Sequence, residues 1–174
     1  MHPDGNWVYK YPTAVSAARL FHERCKAEGL SPIECGGKGD CQWCSLIHEL
    51  RVKKLGNFSV PQLRAIVSSW LEANTELMDG FIVTDEFPSW ADYCLRIRDA
   101  KFHTWGDNLV LIAVCAIFNV QILLTSITKE HDKVLPTEDG VFEAKLHLGH
   151  IPEEHYFAMT PSSDTAQTVL NNYL

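Results

Sequence analysis

Apolar positions follow two rhythms along the chain. Over residues 13–27, Ala14, Ala17, Leu20 and Phe21 recur at helical spacing and Gly29 supplies a stop, which predicts a first helix. Residues 31–35 read as a short strand, followed by the glycine-rich turn Gly36-Gly37-Lys38-Gly39. Helical spacing returns over 41–50 and puts Cys41 at a helix N-terminus. Ser59-Val60-Pro61 combines a cap with an early proline. Leu63, Ile66, Val67, Trp70 and Leu71 then mark one apolar face of an amphipathic helix. A short helix is predicted over 89–98, and after Thr104-Trp105-Gly106 the residue Asp107 caps a nearly all-apolar helix through 118, a pattern expected of a central helix.

The second rhythm begins at 120. Residues 120–127 are rich in β-branched side chains, Ala144, Leu146 and Leu148 alternate with Lys145 and His147, and 155–159 form a third strand. Helices first and strands late predict an α+β fold, with a helical N-terminal half packed on a small mixed β-sheet formed largely by the C-terminal half. No repeat or linker interrupts the chain, so residues 1–174 are expected to form a single domain.

Composition narrows the classes. With 46% hydrophobic and 21% charged residues, the chain has a globular balance. Its longest apolar run, 109–124, contains Asn119 and Gln121 and falls short of the roughly 18 uninterrupted residues of a membrane span. The start, Met1-His2-Pro3-Asp4-Gly5, lacks the features of a secretory signal, so an intracellular, cytoplasmic protein is expected, in the host cytosol if it is a viral or bacterial effector. The 22 acidic and 15 basic residues give a net charge of -7, which disfavours nucleic acid and suits a basic protein partner. The six cysteines, Cys25, Cys35, Cys41, Cys44, Cys94 and Cys115, are expected to be free thiols.

Cys41 is the candidate for chemistry. A thiol at a helix N-terminus lies near unpaired N–H groups and the positive end of the backbone dipoles, which favours the nucleophilic thiolate. The Lys38-Gly39-Asp40 turn adds N–H groups that can converge on an oxyanion, although a buried, inert cysteine beside a tight turn would read the same way. A base must come from elsewhere. His48, seven residues along the same helix, lies roughly 10 Å away along the axis and is excluded. His155, opening a strand, is the best placed, with His150 in reserve. The Cys41-x-x-Cys44 spacing with His48 could serve zinc or a redox pair, but no second ligand pair or thioredoxin-like setting accompanies it, so no metal or other cofactor is expected. Trp43 suits a groove or the core equally.

These blocks, in this order, resemble the ovarian tumour (OTU) family of cysteine proteases, which remove ubiquitin from proteins. The family's D-G-N-C-x-[FW]-x-[SA] block is matched by Lys38-Gly39-Asp40-Cys41-Gln42-Trp43-Cys44-Ser45. Its T-W-G turn, apolar helix and strand resemble Thr104-Trp105-Gly106-Asp107 through Ile122, and its H-Y strand resembles His155-Tyr156. The resemblance runs over about 30–159 and implies a papain-related cysteine protease fold.

It further implies a cysteine deubiquitinase in which Cys41 is the nucleophile and His155 its base, with the backbone amides of Lys38, Gly39 and Cys41 as the oxyanion hole. Ubiquitin or a ubiquitin-like modifier would be the partner, met by a monomer. Two positions depart from the family: Lys38 stands where an Asp is frequent, and Phe157 stands where an Asp or Asn follows the histidine. Asp40, Glu153 or a distant polar group would then orient the imidazole, unless Cys41 and His155 act as a dyad. The departures also leave room for a ubiquitin-binding module with weak or no catalysis. Asp79, Asp85 and Glu86, in a polar stretch between two helices, are candidates for meeting the basic tail of ubiquitin.

Overall fold

The computed structural model describes residues 14–37, 39–80 and 83–162, the side chains of 14–16 and 79–80 excepted. Its α-helices are α1 (Ala14–Ala27), α2 (Cys41–Val52), α3 (Val60–Ala73), α4 (Trp90–Arg98) and α5 (Asn108–Phe118). The strands are β1 (Leu30–Ile33), β2 (Val120–Thr125), β3 (Lys133–Leu135), β4 (Ala144–Ile151) and β5 (His155–Pro161). The helices start where local chemistry directs them. Ser59 and Gln62 form a reciprocal capping box at α3, the Ser89 side chain accepts from the Asp92 amide at α4, and Asp107 accepts from Leu109 and Val110 at α5.

The five strands run in the order β1-β5-β4-β2-β3. The β2–β4 pair is parallel and the other three are antiparallel, giving the mixed sheet of an α+β fold. Leu146 and Leu148 of β4 join Trp43, Leu63, Val67 and Val114 in a large core that draws on α2, α3, α4 and α5. Ile151, Phe157 and Met159, of opposite parity along their strands, join Ala17, Phe21 and Cys25 of α1 in a second, smaller core.

Strand β3 has no counterpart in the sequence expectation, and four further details differ from it. The first strand ends at Ile33 instead of Cys35, which frees Glu34 from the ladder; Pro32 is tolerated because β1 is an edge strand. The buried face of α3 is turned toward Arg64 and Ser68, while Ile66 and Trp70 are only partly buried. Leu20 of α1 is exposed, and Cys25 takes a buried place on that helix instead. Finally, α5 is not enclosed all round: Ile112, Cys115 and Ala116 face an apolar recess of about 290 Å³ closed by Leu135, Pro136 and Phe142. No helix among the described residues is long and apolar enough to cross a membrane.

Candidate active site

The N-terminus of α2, the loop before α5 and the start of β5 converge on one cleft. Cys41 and Gln42, Trp105 and Gly106, and His155 and Tyr156 are among its lining, and its volume is about 160 Å³. Two glycines make the approach possible. Gly39 has φ +90, and a Cβ there would lie 2.6 Å from the His103 carbonyl oxygen and 3.2 Å from the Trp105 ring. A Cβ on Gly106 would overlap the buried Gln42 side chain at 1.7 Å from Oε1. Trp105 is 56% exposed and lines the cleft.

Cys41 is buried at 7% exposure. Burial, and to a smaller extent the charge of Glu34, push its thiol above the ordinary range, although the backbone amides of Tyr156, Gln42 and Cys41 act in the opposite sense. The helix terminus alone predicts a lowered value; the loss of hydration outweighs it. Cys44 lies three residues on, against Gly36, and burial raises its thiol as well. All six cysteines are free, and no group of three or more metal-ligating side chains occurs among the described residues.

His155 opens β5 with its ring 21% exposed, and its Nε2 lies 2.8 Å from Glu34 Oε1. The carboxylate on this histidine is neither Asp40 nor Glu153 but Glu34, a distant polar group of the kind the sequence left open. Asp40 faces elsewhere: Arg64 Nη2 donates to its Oδ1 at 2.6 Å and His103 Nδ1 lies 3.6 Å from its Oδ2. Glu153 lines the cleft in a left-handed turn, φ 59, but the carboxylate that meets His155 is that of Glu34. Phe157 does lie beside His155, edge-to-face at 4.6 Å, but its other side stacks on Phe21 in the smaller core.

The origin of Glu34 is a matter of register. Ile33 pairs with Ala158, so the next step along both strands carries Glu34 toward Phe157, the position where the family's acid follows its histidine. Only the pairing of β1 with β5, which joins Glu34 to His155 121 positions along the chain, reveals it. Arg64 left a plainer mark: a charged residue in phase with Val67 and Leu71 on an amphipathic helix.

His150 lines the same cleft and stacks on Tyr156 at 4.2 Å. Burial, helped by Lys133, pushes its pKa down to about 4. His48 lies in a separate groove with Cys35, Cys44 and Arg51. Asp85 and Glu86 are exposed and do not line the cleft. The Asp79 side chain and all of Lys38 lie outside the described residues.

The sequence profile of the OTU-like cysteine protease family matches residues 36–150. "Putative ubiquitin thioesterase 232R" of Invertebrate iridescent virus 3 is 24% identical over 147 residues, 81% of this chain and 17% of that protein. This chain thus spans about a sixth of that relative's length. Among solved structures, the OTU domain of OTUD1 superposes with a TM-score of 0.60 at 17% identity, covering 84% of this chain and 95% of that one. An OTU deubiquitinase from Wolbachia pipientis wMel bound to ubiquitin gives a TM-score of 0.57 at 11% identity, covering 77% and 97%. At these identities the structural likeness is one of fold.

Proposed function

Because the chain belongs to the OTU-like cysteine protease family, we propose that it is a cysteine deubiquitinase that hydrolyses isopeptide bonds of ubiquitin or ubiquitin-like conjugates. One observation carries the reading: a glutamate carboxylate 2.8 Å from the Nε2 of a histidine that shares its cleft with Cys41. The name of the viral relative and the ubiquitin bound by the Wolbachia enzyme support this substrate class.

The roles follow from proton bookkeeping. A carboxylate only accepts, so the Nε2 beside Glu34 donates to it, and in the neutral imidazole Nδ1 is the atom with the lone pair. His155 takes the Cys41 proton through Nδ1 as sulfur attacks the carbonyl carbon of the terminal glycine, and the carbonyl electron pair moves to oxygen. The backbone amides of Lys38, Gly39 and Cys41 receive that oxyanion. His155 gives the proton to the departing lysine amine, then serves as base for the water that cleaves the thioester. Glu34 balances the imidazolium at each stage. Burial raises the Cys41 thiol, so a base that takes its proton as sulfur attacks has a defined task here.

The test is labelling with ubiquitin that carries a C-terminal electrophile. A covalent adduct mapped to Cys41, lost in Cys41→Ala and retained in Cys44→Ala, is expected. Labelling that follows Cys44, or none at all, refutes the assignment.

A further inference from the structure

Arg64 has no exposed surface, and its guanidinium is shared among three segments. Nη2 donates to Asp40 Oδ1 at 2.6 Å and to the Thr104 carbonyl at 2.9 Å, Nη1 donates to the Ile97 carbonyl at 3.2 Å, and the group lies 4.4 Å over the Trp43 ring. Asp40 occupies the N-cap position of α2 but makes no side-chain cap bond there. Its carboxylate is turned to Arg64 and His103 instead. Asp40 immediately precedes Cys41, and Thr104 immediately precedes Trp105 and Gly106 of the cleft. These two segments also meet directly at Gly39, against the His103 carbonyl and the Trp105 ring. A buried ion pair adds little net stability over an apolar pair of similar volume, so its main consequence is the geometry it imposes.

We propose that Arg64 is a positioning residue for the reaction at Cys41: through Asp40 and the Thr104 carbonyl it holds the two segments that wall the cleft at a fixed spacing. The proposal rests on the reading of Cys41 as nucleophile. It assigns Asp40 to the walls of the site and leaves the histidine to Glu34. Amides fixed in advance around Cys41 need no rearrangement as negative charge develops, so the benefit falls on kcat and not on KM.

Two measurements test it. On ubiquitin with a C-terminal fluorogenic amide, Asp40→Ala lowers kcat about 10²-fold, the scale of a small misplacement of reacting groups. KM stays within about twofold. Asp40→Asn, whose amide oxygen still accepts from Arg64, recovers most of the loss, while Arg64→Lys, which cannot span the three acceptors, behaves like Asp40→Ala. In hydrogen exchange without ubiquitin, Asp40→Ala quickens peptides covering 39–44 and 102–107 together, by about tenfold, and leaves α5 and β4 unchanged. If Arg64→Lys does not fold, the Asp40 variants decide. Exchange that rises in one segment alone, throughout the protein or nowhere overturns the proposal. So does an unchanged kcat, a loss carried by KM, or an Asn variant as poor as Ala. Because exchange involves no substrate, a wild type that failed to turn over ubiquitin would refute the deubiquitinase reading and leave the exchange result to judge the proposal.

Discussion

Two carboxylates stand near Cys41 in opposite surroundings. Glu34 is 61% exposed and meets a histidine 21% exposed, whereas Asp40 is 21% exposed and meets an arginine with no exposed surface. Exposed pairs contribute about 0–1 kcal/mol to stability, while breaking a buried pair costs about 3–5 kcal/mol. Glu34 can therefore be altered with little effect on the fold, so its weight falls on chemistry. Asp40 is tied into the packing, so its weight falls on geometry. Nearness to Cys41 in sequence singles out Asp40, but the carboxylate that reaches the histidine follows β1, the edge strand paired directly with β5.

The largest effect isolates the nucleophile from both carboxylates. Cys41→Ala should lower turnover by about 10⁴-fold or more, to background, with the melting temperature within about 2 °C of wild type, as fluorogenic assay and calorimetry would show. Substantial residual turnover would move the chemistry away from Cys41.

Phe157→Asp asks whether a carboxylate on β5 can replace Glu34. The side chain sits 5.3 Å from Phe21 in a stack and is 8% exposed. An aspartate there loses this packing and buries a charge, so denaturant unfolding should show a loss of about 2–4 kcal/mol. Turnover should not rise, because Glu34 already meets His155. A gain in kcat would mean that Glu34 leaves the imidazole poorly oriented.

Next in size is the pH dependence of the cleft. The pKa of His150 is about 4 in the folded protein and about 6.5 when exposed, so between these values the unfolded chain binds the extra proton. Stability therefore rises with pH across that window and is lost as pH falls through it, by about 2 kcal/mol from pH 6.5 to 5. Buried Glu49, whose carboxyl is raised by burial, works in the opposite sense, so the informative quantity is the difference between variants. His150→Phe keeps an aromatic face for Tyr156 and should flatten the acid side of a melting curve measured against pH. A slope equal to wild type would show that His150 does not carry it.

The smallest effect concerns exposed charge outside the cleft. Asp85→Ala with Glu86→Ala should lower kcat/KM on ubiquitin about two- to threefold at low salt, with the difference vanishing at high salt. An unchanged salt slope would remove this turn from the binding surface.

What could be read from the sequence was local. The Ser59 cap with its early proline, the Asp107 cap and the phase of Cys41 depend on residues within a turn of one another, and the helices begin accordingly. The strands from 120 onward announced themselves by β-branching and alternation. Strand β3 did not, being three residues of exposed and half-buried edge whose identity lies in its pairing with β2. Glu34 was hidden for the same reason, because no local pattern states that β1 lies beside β5. The buried face of α3 was misread because hydrophobicity alone passes over an arginine and a serine whose polar atoms find partners inside.

The central claim, that Glu34 and not Asp40 serves the histidine, is tested most directly by measuring kcat/KM of Glu34→Gln and Asp40→Asn side by side on ubiquitin with a C-terminal fluorogenic amide. Glu34→Gln should fall about 10²-fold with its melting temperature unmoved, and Asp40→Asn should stay within about threefold of wild type. Full activity in Glu34→Gln, or the larger loss in Asp40→Asn, would contradict the account.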